Sequence, residues 1–150
     1  MKELPSRWEG FSPRLRRQPD LLDKLRADLA RLERDPGDDY AAWDFFVTAD
    51  HMRDWNQPKL HPDDPLILGN WLLLVVYELA NRGKHFRPDR NPNKNVRDIG
   101  SAGAFQADAF DPRSFDTVRL VIDLEDPPST ESAINLSRQV VAWWEAKLAE

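Results

Sequence analysis

The chain contains no cysteine. Disulfides, Cys-ligated zinc, iron–sulfur clusters and thiolate nucleophiles are therefore excluded. It also has no long apolar run. The most apolar stretch, Leu66 to Ala80, is interrupted by Gly69, Asn70 and Glu78 and falls short of the roughly 20 residues needed to cross a bilayer. The opening MKELPSRWEGFSPRLRRQ carries no apolar segment of signal-peptide length, so the expectation is a cytoplasmic chain with no membrane role. Histidines number only three, and no two are three or four residues apart. With no HExxH, no Gly-rich loop after a strand, no serine on an elbow motif and no twelve-residue calcium pattern among the acids of 35 to 39, neither a metal nor a cofactor is expected.

What is present suffices for one core. Of 150 residues 41% are hydrophobic, with six Trp and seven Phe, the usual complement of a single domain. Residues 1–18 mix Pro5, Pro13, Trp8 and Phe11 with Arg14, Arg16 and Arg17 and read as an irregular arm. Residues 19–150 read as one helical domain. Leu22, Leu25, Leu29 and Leu32 predict a first helix capped by Asp20 and ended at Asp35-Pro36-Gly37. A second helix runs from Asp38 or Asp39 to about Asn56. Ala42, Phe45, Phe46, Ala49 and Met52 form its apolar face, with Asp44, Thr48, His51, Asp54 and Trp55 on the polar side. A third, capped by Asp64 with Pro65 at its first position and Gly83 beyond its end, is apolar nearly all round and belongs mid-bundle.

Beyond a loop-like stretch from Lys84 to Gly100 the period becomes two, at Phe105 to Ala109 and Val118 to Ile122. This predicts a β-hairpin near 101–124. After Pro127-Pro128, Ser129 or Thr130 caps a last helix holding Ile134, Leu136, Val140, Val141, Trp143, Trp144 and Leu148. The expected fold is mainly α: a four-helix, bundle-like domain with a β-hairpin inserted before the C-terminal helix.

Charge is unevenly spread. The net charge is −5, yet residues 82–97 hold Arg82, Lys84, Arg87, Arg90, Lys94 and Arg97 against the single acid Asp89. Arg82, Lys84, Arg87, Arg90 and Lys94 are the candidate phosphate or RNA contacts, with His85 and Phe86 beside them. The alternative reading is a solvated loop that complements acids and a helix carboxyl end, with Arg82, Lys84 and His85 clamped to Asp38 and Asp39. The candidate acid–base groups are His85, His51 and Asp44. His61 reads as plain surface.

At Phe45-Phe46-Val47-Thr48-Ala49-Asp50-His51-Met52-Arg53-Asp54-Trp55 and at Leu79-Ala80-Asn81-Arg82-Gly83-Lys84-His85-Phe86 the chain resembles uncharacterised small bacterial proteins with a HEPN-like helical core. The resemblance implies a helical bundle that often acts as a dimer, often in toxin–antitoxin or phage-defence settings. Active HEPN ribonucleases place Arg four to six residues before His, whereas Arg82 precedes His85 by three. The expected function is thus a non-enzymatic interaction or regulatory module that pairs with a protein partner or a second copy, through Trp55 or the hairpin edge. The alternative is a HEPN-like RNA-binding protein or atypical ribonuclease using loop 82–97. A small-molecule enzyme built on Asp44 and His51 is the third reading.

Overall fold

The computed structural model describes residues 9–85, 95–102, 119–125 and 128–150. In chain order these form α1 (Gln18–Arg34), α2 (Asp39–Asp54), α3 (Pro65–Leu68), α4 (Trp71–Lys84), β1 (Val96–Ala102), β2 (Arg119–Glu125), β3 (Pro128–Ser132) and α5 (Ala133–Leu148). The domain is mainly helical, with a small antiparallel sheet before the C-terminal helix, as expected.

Leu21, Leu22, Leu25 and Leu32 of α1, Phe45, Phe46, Ala49 and Met52 of α2, and Leu136, Val140 and Trp144 of α5 are buried in one core. Two ion pairs cross α1 and α5, Arg26–Glu145 at 3.0 Å and Glu33–Arg138 at 3.3 Å. Their reversed order along the two sequences makes these helices antiparallel. The α1–α2 seam is polar in its middle. Lys24 Nζ donates to Asp28 Oδ2 at 2.7 Å and Thr48 Oγ1 at 2.8 Å, and Arg31 Nη1 donates to Asp44 Oδ2 at 2.6 Å.

Several boundaries differ from the sequence expectation, each for a local reason. Asp20 lies inside α1 rather than before it, and its carboxylate reaches back to accept the N–H groups of Arg16 and Arg17. That still satisfies orphan donors at a helix start. The expected third helix is two. Gly69 ends α3, and Asn70, in extended conformation, begins a new helix by accepting the N–H groups of Leu72 and Leu73. Gly83 sits in the last turn of α4 instead of after it, and a Cβ there would lie 2.9 Å from Trp43 Nε1. Close approach of the indole, not a left-handed turn, is what requires glycine at this position.

The strand order is β1-β2-β3, with Ile99 opposite Ile122 and Ser101 opposite Leu120. β1 precedes the expected first strand because a bulge between Val96 and Asp98 breaks the alternation that would have revealed it. The expected strand Phe105 to Ala109 lies outside the described residues. β3 is polar (PSTES), and Ser132, rather than Ser129 or Thr130, caps α5 through the N–H of Asn135. Of the expected N-terminal arm, residues 9–17 form turns with a Ser12–Leu15 bridge, and Gln18 already belongs to α1. The inner face of the sheet, Val96, Leu120, Ile122 and Leu124, is buried against the helices. Among the described residues no helix is long and apolar enough to cross a membrane.

Candidate functional site

Where α2, α4 and the sheet meet, the packing leaves a groove of about 230 Å³. Trp43, Phe46 and Val47 supply one wall, Leu79 and Gly83 another, and Ile99, Leu120 and Ile122 the third. Asp39 and Arg82 are its charged lining residues. Trp43 and Val47 share one side of α2 because they are four residues apart, and Tyr40 precedes them by a turn. Trp43 is 50% exposed and Ile99 40%, although both are large apolar side chains. The indole is held in place: Trp43 Nε1 donates to Gly83 O at 2.9 Å. The indole thus ties the α2 wall to the α4 wall. Arg82 serves the sheet, with Nη2 donating to Val96 O at 3.0 Å and Arg97 O at 2.7 Å. Leu120 N donates to Pro36 O and ties β2 to the loop before α2.

A second polar cluster lies toward the end of α2. Asp50, 3% exposed, accepts from Arg53 Nη2 at 3.2 Å and Lys84 Nζ at 2.9 Å. The Arg53 guanidinium also donates to Leu60 O and stands 5.7 Å over the Tyr77 ring. Asp54 gathers Arg53, Lys59 and His51. Its burial opposes ionisation, but the positive charges of Arg53 and Lys59 and hydrogen bonds from Lys59 and His51 outweigh that, and the carboxyl is held below its ordinary value of 3.8. Cluster and groove meet at the C-terminal turn of α4, which Lys84 clamps from one side and Trp43 from the other.

No family model, no curated protein and no solved structure matches this chain.

The candidate residues are dispersed over different partners. Asp44 is paired with Arg31 across the α1–α2 seam, whereas His51 is paired with Asp54 at 3.4 Å. Lys84 reaches Asp50 and Arg82 reaches the β1 carbonyls, in place of the expected clamp to Asp38 and Asp39, and the Asp38 carboxylate instead caps α2 through Ala41 N. His85, the C-terminal cap of α4, is exposed. Arg87, Arg90 and Lys94 lie outside the described residues. Among the described residues no three His, Asp or Glu side chains are grouped to hold a metal ion. Trp55 is partly covered by the core, and Trp43 with Tyr40 takes the exposed aromatic position foreseen for it. The spacing of 40, 43 and 47 was the available signal, masked because Trp43 sits beside the apolar Ala42 face in sequence.

Proposed function

We propose that this chain is a non-enzymatic interaction module and that a partner protein seats an apolar side chain in the groove beneath Trp43. The observation that carries the reading is an open apolar groove whose rim residues, Trp43 and Ile99, remain half exposed. Aromatic anchors beside a preformed pocket are the usual energetic centre of a protein interface. The polar clusters support the same reading. Arg31–Asp44 joins α1 to α2, Lys84–Asp50 joins α4 to α2, and Arg53 pairs with Asp50 within α2, a structural use of charge. A regulatory role beside a neighbouring protein, of the toxin–antitoxin or defence kind that the HEPN-like resemblance implies, is the setting we propose for the module.

The test is site-specific photocrosslinking in cells of the source organism, with the reactive group at position 99 and, as a control, at Arg138. A discrete protein adduct from position 99 alone, lost in Val47→Phe, is expected. Equal adducts from both positions, or an adduct indifferent to Val47→Phe, contradict the reading.

One observation favours a second reading, RNA binding or atypical RNA cleavage. The exposed His85 is followed in the sequence by Arg87, Arg90 and Lys94. Salt-sensitive RNA binding lost on reversing those three cations would support it.

A further inference from the structure

The turn that precedes α1 is folded around one side chain. Phe11 N donates to Leu15 O at 2.8 Å, and Ser12 bridges to Leu15, which brings the chain back on itself. Gly10 lies in the left-handed region at φ 74°, and a Cβ on it would stand 2.5 Å from Arg16 Cα and 2.9 Å from Arg16 Cγ. Only glycine lets the backbone lie this close on the arginine stem. The main chain of Arg16 is fixed as well, its N–H donating to Asp20 Oδ2 at 3.1 Å. The guanidinium so held is left without an acceptor. Arg16 Nε is buried with no hydrogen-bond partner, and Arg16 forms no ion pair among the described residues.

Arg16 lines a cleft of about 1120 Å³ between this turn, the end of α2 and the end of α5. A buried charged donor without an acceptor is costly, and folded proteins rarely keep one without a use. The neighbouring acids are committed elsewhere. Asp54 is held by Arg53, Lys59 and His51, and Glu150 by Lys147, while Asp20 already accepts two backbone N–H groups. Among the described lining residues the acids Glu9, Asp54 and Glu150 equal the cations Arg16, Arg17 and Lys147 in number, so a polyanion gains no net attraction there. A single negative charge placed on Arg16 does. Trp55, Leu60, Leu66 and Leu148 give the same cleft an apolar side, and Trp55 is steadied by its packing on the core.

We propose that this cleft binds a small organic monoanion, a carboxylate on a flat apolar body, with the carboxylate on Arg16 and the body along Trp55. With Nε covered, the two Nη groups are what a ligand can reach, and this end of the guanidinium matches the two oxygens of a planar carboxylate. The cleft shares no lining residue with the groove beneath Trp43. A ligand here therefore leaves the groove open, and the two sites stand or fall separately.

The test follows the Trp55 indole N–H and the Arg16 Nε–H of the ¹⁵N-labelled full chain. 2-Naphthoate, its neutral analogue 2-naphthamide and inorganic phosphate are added in separate titrations. 2-Naphthoate should shift both signals saturably, 2-naphthamide should bind at least about tenfold more weakly for want of a charged hydrogen bond, and phosphate should move neither. Arg16→Met should abolish the effect on Trp55 without lowering the melting temperature, because it removes an unsatisfied donor and keeps the bulk of the stem. Arg16→Lys, which keeps the charge and loses the fork, should bind with intermediate strength. Leu66→Glu, at a position 39% exposed, should melt as wild type does and repel the carboxylate. A Trp55 signal that ignores 2-naphthoate overturns the inference, as do equal affinities for 2-naphthoate and 2-naphthamide, displacement of 2-naphthoate by phosphate, or binding undiminished in Arg16→Met and Leu66→Glu. A lower melting temperature for Arg16→Met would give Arg16 a structural partner and overturn it too.

Discussion

Replacing Glu78 by Leu should loosen the sheet from the helices. The Glu78 carboxylate, 6% exposed, accepts Val96 N at 2.7 Å, Asn95 N at 3.1 Å and Asn95 Nδ2 at 3.0 Å. Leucine fills a similar volume but leaves two backbone N–H groups without their acceptor, while the Asn95 amide can turn to solvent. At about 1–3 kcal/mol for each orphaned donor, less the gain from added apolar contact, the loss is about 3 kcal/mol. For a chain of this size that lowers the melting temperature by about 6–12 °C. Glu78→Gln, which keeps one oxygen acceptor, should fall between wild type and Leu. Differential scanning calorimetry measures the shift, and hydrogen exchange at Val96 locates it. A Glu78→Leu protein that melts within about 2 °C of wild type, with Val96 still protected, would refute the idea that this carboxylate anchors β1.

Asp50→Ala should cost about 3–5 kcal/mol, because it leaves the buried Arg53 and the Lys84 ammonium without their shared carboxylate, as read by urea unfolding. Hydrogen bonds from the N–H groups of Arg16 and Arg17 lower the Asp20 carboxyl below its ordinary 3.8. Its contribution is thus complete above that value and is lost as pH falls through the lowered one. The stability gap between wild type and Asp20→Asn should accordingly be constant at neutral pH and close only below about pH 4. Val76→Asp should abolish cooperative unfolding, since an unpaired buried carboxylate costs several kcal/mol, about a whole domain's margin.

The helices were legible because their cues are local. Leu22, Leu25 and Leu32, the Asp38 and Asp64 caps and the Trp-rich end of α5 each carry a periodic or capping signal within a few residues. The α3–α4 break was missed because Asn70 capping depends on one side chain turned onto the next two N–H groups, a choice that an apolar run does not announce. β1 was missed for the bulge, and β3 because Pro128–Ser132 has no apolar residue to alternate. The groove was illegible for another reason. Its walls come from α2, α4 and two strands, and nothing in the spacing of Trp43, Gly83 and Ile99 reveals that they meet. Likewise, only the fold assigns Lys84 to Asp50 and Arg82 to the β1 carbonyls, converting cations that looked free for phosphate into clamps on α4 and β1.

The central claim is that binding occurs in the apolar groove and not on the basic surface, and one nuclear magnetic resonance titration addresses both. With ¹⁵N-labelled protein, the Trp43 indole N–H and the amides of Ile99, Lys84, His85 and Arg97 are followed on adding benzene, a probe for apolar cavities, and separately a short oligouridylate at low salt. The account predicts that benzene moves the Trp43 indole and Ile99 signals while the oligouridylate moves none of the five. Shifts at Lys84, His85 and Arg97 with the oligouridylate, and a Trp43 indole indifferent to benzene, would contradict it.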